Sequence, residues 1–243
     1  MSVGLDADTD WANRNTNLGG LGISGWTLAG WCYRVSGVGY AATALSAICA
    51  VANTDNGRHV SLRYNDNFGS GTENDPQLII EDNGGPVVTF GASDDQMPFD
   101  TWCFCYIRSG ASGGTVEASW TSDDGDTWHT ASGTNTTESS VQGNTVLLGR
   151  GNFGDANTMR GRYAYWQAFG SDIGQTAARA LITKSASDST EWAFWRLASN
   201  TDTADTSGNS RTLTFNGSFT SEADPTIPGG GGFTPRSMLL GVG

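Results

Sequence analysis

Thr145-Val146-Leu147-Leu148-Gly149-Arg150-Gly151-Asn152-Phe153, followed by Met159-Arg160-Gly161-Arg162-Tyr163-Ala164-Tyr165-Trp166-Gln167-Ala168-Phe169 and a tail to Ile182, decides the fold. Two apolar, aromatic and β-branched runs flank an open turn rich in Gly and Asn, which reads as strand, turn, strand. Helix-forming residues then gather for the first time. Thr176 can cap the amino end of a helix over 176–183, where Ala177, Ala178, Ala180 and Leu181 favour helix.

Working outward, short apolar or alternating segments recur at 26–34, 47–52, 60–64, 77–81, 87–90, 102–108, 116–121, 128–131, 145–150, 162–169, 193–197 and 211–215. Turns rich in Gly, Asn and Asp separate them, a spacing that predicts an all-β sandwich or barrel with the one short helix. Thirty-four glycines and a single lysine, Lys184, fit that class better than packed helices. A chain of 243 residues buries roughly 70–75% of its unfolded surface, enough for one self-supporting core. The regular pattern ends near Pro225 and Pro228. The predicted organisation is therefore a sandwich over 1–228 and a Gly-rich tether with an apolar arm over 229–243. Phe233, Met238, Leu239, Leu240 and Val242 make that arm an expected docking element for assembly, either in a homo-oligomer or onto other proteins.

A net charge of −12 opposes binding to phosphate backbones and anionic lipid, so neither nucleic acid nor membrane insertion is expected. No apolar run reaches the roughly 18 residues that span a bilayer. The start, Met1-Ser2-Val3-Gly4-Leu5-Asp6, lacks the basic and apolar regions of a secretory signal, so signal-directed export is not expected. Cys103 and Cys105 share one face of an extended run. With Cys32 and Cys49 they read as buried reduced thiols rather than a disulfide framework.

Several segments resemble the laminin-G-like, concanavalin A-like jelly-roll domains of extracellular and phage proteins. These are Leu5-Asp6-Ala7-Asp8-Thr9-Asp10-Trp11, Ile23-Ser24-Gly25-Trp26 with its following strand, and Thr101-Trp102-Cys103-Phe104-Cys105-Tyr106-Ile107-Arg108-Ser109-Gly110. The opening stretch, then Ala193-Phe194-Trp195-Arg196-Leu197 with Asp205-Thr206-Ser207-Gly208-Asn209, completes an ordered series over most of residues 5–220. The resemblance implies two antiparallel sheets packed face to face, with glycans or proteins bound on a concave face or rim and calcium frequent. It does not fix function, because such sandwiches serve as lectins, hydrolases, adhesins and spacers.

Glycoside hydrolysis needs two carboxylates flanking the scissile bond. The E-x-D-x-x-E run of the glucanase relatives is missing; Glu81-Asp82 is adjacent rather than alternating, and Glu117 and Glu191 stand alone. The chain is therefore expected not to be an enzyme. Ser122-Asp123-Asp124-Gly125-Asp126-Thr127-Trp128 is similar to a sialidase Asp box but occurs once. It reads as a structural hairpin in which Gly125 supplies a positive φ and Trp128 packs beneath. Asp6, Asp8 and Asp10 have a D-x-D-x-D spacing that could offer oxygens to calcium, although the rest of an EF-hand loop is absent. Asp202, Asp205 and Asn209 form a weaker cluster. His59 and His129 have no nucleophile elbow near them. An ordinary solvated turn is the simpler reading of Asp6, Asp8 and Asp10, so no cofactor is expected to be required and calcium is the ion the D-x-D-x-D spacing would admit.

Within 26–34, alternation places Trp26, Leu28 and Cys32 on one face and Thr27, Ala29, Trp31 and Tyr33 on the other. Sugars stack their C–H faces on aromatic rings, so Trp31 and Tyr33 are the candidate glycan-binding residues. Together these features predict a non-enzymatic structural or adhesion protein of a virion surface, as a capsid decoration, fibre or tail component, that presents a lectin-like sandwich to host glycans. The alternatives are a secreted or released, extracellular polysaccharide-active enzyme of the concanavalin A-like fold and a purely structural spacer.

Overall fold

The computed structural model describes residues 2–5, 11–15, 25–36, 45–52, 59–65, 75–81, 87–89, 97–111, 114–122, 124–134, 145–150, 159 and 161–228. They contain β1 (Ser2–Leu5), β2 (Trp11–Asn15), β3 (Gly25–Arg34), β4 (Leu45–Ala52), β5 (His59–Asn65), β6 (Asp75–Glu81), β7 (Val87–Thr89) and β8 (Trp102–Gly110). Then follow β9 (Thr115–Thr121), β10 (His129–Thr134), β11 (Thr145–Leu148), β12 (Gly161–Phe169), the helix α1 (Gly174–Ala180) with a 3-10 turn Leu181–Thr183, β13 (Ala193–Trp195), β14 (Thr214–Asn216) and β15 (Phe219–Glu222).

The strands form two antiparallel sheets, as expected for a jelly-roll sandwich. The first runs β10-β9-β8-β3-β12-β1-β15, with β13 also paired to β12; the second runs β14-β2-β11-β4-β5-β6-β7. The opening stretch does not form a strand pair. β11 lies between β2 and β4 in the second sheet, while β12 lies between β3 and β1 in the first. Gly149, at φ 80°, turns the chain out of β11, and its carbonyl accepts the Met159 N–H at 3.0 Å before β12 begins. The stretch thus crosses the sandwich from one layer to the other.

The interior between the sheets follows the alternation of each strand. Trp26, Leu28 and Cys32 of β3, Cys103, Cys105 and Ile107 of β8, and Val116, Ala118 and Trp120 of β9 meet Ile48, Cys49, Val51, Val60, Leu62, Val146 and Leu148 of the second sheet. All four cysteines are free and buried there. Burial raises the thiol pKa of Cys103 and Cys105; for Cys32 the contact with Cys105 acts first and burial second. The Trp166 ring rests on Gly30, where any Cβ would collide with the indole, and its Nε1 donates to the Trp31 carbonyl at 3.0 Å.

The opposite face of the first sheet carries a second apolar layer. A bulge between Ala164 and Gln167, with Tyr165 at φ 54°, turns both Ala164 and Tyr165 to that side. There they join Ala29, Trp31, Phe104, Tyr106, Phe169 and Phe194 beneath Ala178 of α1 and Leu181 and Ile182 of the 3-10 turn. The helix begins two residues before the expected cap. Ile173 occupies the N-cap without a side-chain bond, and Asp172 Oδ1 accepts the Gly174 N–H at 2.9 Å, so Thr176 stands inside the first turn.

Candidate functional site

Register aligns Arg162 of β12, Tyr33 of β3 and Trp102 of β8 as direct cross-strand neighbours on the outer face of the first sheet. Tyr33 and Trp102 meet edge-on at 5.5 Å between ring centroids. The Arg162 guanidinium lies 4.6 Å over the Tyr33 ring and reaches Glu222 of β15 at 3.4 Å. Thr220 donates its hydroxyl to the other oxygen of Glu222 at 3.2 Å. Both rings are half-buried, and the Arg162 and Glu222 side chains are 28% and 31% exposed. Trp102 packs on the second apolar layer, which fixes its ring from below. An aromatic pair flanked by one donor group and one acceptor group is suited to the mixed apolar and hydroxylated surface of a sugar.

Of the two expected aromatic residues, only Tyr33 stands here. Trp31 is 3% exposed and sits in the second apolar layer, edge-on to Phe104 at 5.5 Å. Its face of β3 is covered by the second apolar layer, which includes Leu181 and Ile182 of the 3-10 turn and Phe194, so its ring presents no stacking surface. Trp102 and Arg162 went unselected because only strand register brings them to Tyr33. The alternation of Trp102 against Cys103 and Cys105 was the available signal that its ring leaves the interior.

Three described carboxylates, Glu117, Glu191 and Asp205, are held in structural networks. Glu117 accepts hydrogen bonds from Tyr106 Oη at 2.5 Å, Arg108 Nε at 3.3 Å, Arg108 Nη2 at 3.0 Å and Gln175 Nε2 at 3.1 Å. Arg108 also clamps Asp172 through Nη1 at 2.9 and 3.1 Å. Burial would raise the Glu117 pKa, but bonds from Arg108 and Tyr106 outweigh it and hold the carboxyl below its ordinary value. Tyr106 responds in the other sense, raised by burial and then by Glu117. Glu191, whose side chain is buried, receives Lys184 Nζ at 2.5 Å and Ser187 Oγ at 2.8 Å, and Lys184 also binds Asp188 at 2.9 Å.

Asp205 accepts the backbone N–H groups of Phe194, Ser207 and Arg211 at 3.0, 2.9 and 2.8 Å. Asn209 Nδ2 donates to the carbonyls of Glu191 and Trp192, and Asp202 accepts the Ala198 N–H. The cluster of Asp202, Asp205 and Asn209 is therefore a loop lock around β13. Asp6, Asp8 and Asp10, and the arm residues Phe233, Met238, Leu239, Leu240 and Val242, lie outside the described residues. Among the described residues no group of three His, Cys, Asp or Glu side chains is placed to hold a metal ion, and no helix is long and apolar enough to cross a membrane.

The single Asp box forms the β9–β10 hairpin, with Asp124 at φ 60° and Gly125 at φ 94°. Trp128 leaves it to pack on Phe104 and Tyr106, with the Arg179 guanidinium 4.9 Å over its ring. The box thus helps to fasten α1 to the sheet.

No protein-family model and no curated protein matches the sequence. In structure the chain is similar to a protein assigned as carbohydrate binding from Bacteroides ovatus, with a TM-score of 0.56 and 12% identity over 93% of this chain and 62% of that one. It is also similar to the enzymatically active domain of tailspike protein 2 of bacteriophage CBA120, with a TM-score of 0.52 and 15% identity over 72% of this chain. This chain spans 27% of the length of that tailspike domain and less than two thirds of the Bacteroides protein. At such identities the likeness is one of fold. The chain is an antiparallel β-sandwich of the jelly-roll kind; the finer laminin-G-like resemblance finds no matching family model.

Proposed function

We propose that this chain is a non-enzymatic carbohydrate-binding module, carried on the outside of an assembly such as a phage virion, with the Tyr33–Trp102 face as its sugar site. The observation that carries the reading is the half-buried aromatic pair set beside the Arg162–Glu222 ion pair on a rigid sheet. Rigid placement matters because a weak monosaccharide contact gains affinity when little side-chain ordering remains to be done. The sandwich fold shared with a tailspike domain is compatible with a virion setting. The non-enzymatic reading is supported by the internal donors that occupy Glu117, Glu191 and Asp205, and at the sugar face by the engagement of Glu222 with Arg162 and Thr220 and of Asp100 with the Ser36 N–H.

A glycan array probed with the full chain tests the site. Trp102→Ala should lower binding by about tenfold or more while leaving the far-ultraviolet circular dichroism unchanged. Undiminished binding would move the site elsewhere, and turnover of an oligosaccharide in a parallel hydrolysis assay would overturn the non-enzymatic reading. Attachment is assigned to the apolar arm over 229–243, which docks on other virion proteins or on further copies of the chain. Deleting it should abolish incorporation into particles without changing sugar affinity, and normal incorporation would count against that role.

A further inference from the structure

We propose that the Tyr33–Trp102 face accepts neutral hexoses and turns away sialic and uronic acids. This rests on the glycan-binding reading above and narrows it to a substrate class. The argument begins with the charges at the rim. The Arg162 guanidinium lies beside the aromatic pair and is already shared with Glu222 at 3.4 Å. A second carboxylate, Asp100, lies two residues before Trp102 and accepts the Ser36 N–H at 3.0 Å. Its pKa is lowered first by Ser36 and more weakly by Arg162, so it is ionised at neutral pH and within electrostatic reach of that guanidinium.

Among the described residues two carboxylates, Glu222 and Asp100, stand against the Arg162 guanidinium, on a chain whose overall charge is −12. A sugar carboxylate brought here could reach Arg162 only beside Glu222, so that it, Glu222 and Asp100 would crowd three negative charges around that one guanidinium. Neighbouring hydroxyls of a neutral hexose meet no such conflict. One can accept from Arg162 while the next donates to Glu222, so the ion pair stays intact and both partners gain a bond. The ring's C–H face would rest on Trp102, and the Tyr33 ring is kept in place by the guanidinium on its surface.

The test compares methyl β-galactoside and methyl β-glucoside with methyl β-glucuronide and sialyllactose, by calorimetry and saturation-transfer NMR on the full chain. The better neutral glycoside is expected to bind at least about tenfold tighter than either acid at low salt, the scale of one like-charge contact near a surface. Screening should narrow the gap as salt rises from 20 to about 300 mM in the wild-type protein. Glu222→Gln should narrow it at constant salt by improving acid binding. Acids that bind as tightly as the neutral sugars, with binding that depends on Trp102, would overturn the charge selectivity and leave the glycan site standing. Neutral sugars that bind with full affinity to Trp102→Ala would overturn this assignment, and the absence of binding by all four compounds would remove the glycan reading itself.

Discussion

Glu117 shows how one residue can tie three parts of the structure together, since its four hydrogen bonds come from β8 and from the helix that lies across it. Replacing it by Gln keeps the shape but leaves Arg108 without a full counter-charge, and should cost about 1–3 kcal/mol in urea unfolding. The pH dependence has a definite sign. The folded-state pKa is depressed, so the stability due to this group is present above the ordinary value of 4.5 and is lost as pH falls through the folded value. The stability of Glu117→Gln should therefore fall less steeply than that of wild type as pH drops below 4.5. Gly30 is sensitive for a steric reason, because a Cβ there meets the Trp166 ring on its interior side. Gly30→Ala should cost about 1–3 kcal/mol or more, read as a lower melting temperature.

Among the elements, β3 and β8 were the most legible in the sequence. The alternation of Trp26, Leu28 and Cys32 against Ala29 and Trp31 was enough to assign opposite faces. What covered the second face was not legible. α1 reaches it through Arg108 and Asp172, 64 residues apart in sequence, and no local pattern announces such a contact. The same limit made Trp31 look available for a ligand and hid Trp102 and Arg162, whose meeting with Tyr33 depends on register across three strands. β15 was missed because it is short, polar at three of its four residues and paired on one side by β1. Asp172→Ala tests the docking of α1. It removes both the Arg108 clamp and the acceptor for the Gly174 N–H, so amide exchange across Gly174–Ala180 should accelerate while that of β4 and β5 stays protected.

At the scale of the whole molecule, stability comes from two apolar layers on opposite sides of one sheet rather than from covalent staples. Cys32, Cys49, Cys103 and Cys105 lie inside the sandwich, so Ellman's reagent should label none of them in the native protein and all four after guanidinium unfolding. Reductant should leave the unfolding midpoint unchanged. The loop lock around Asp205 and the Lys184–Glu191 contact close the layer beyond α1, where the chain returns to β13. That second contact has a practical side. Lys184 is the single lysine in 243 residues, 17% exposed and held between two carboxylates, so amine-directed reagents find one guarded ε-amino group on this chain. Surface immobilisation or dye coupling through lysine would be slow and, once achieved, would break the Glu191 ion pair; a label that preserves the fold belongs on an introduced thiol instead.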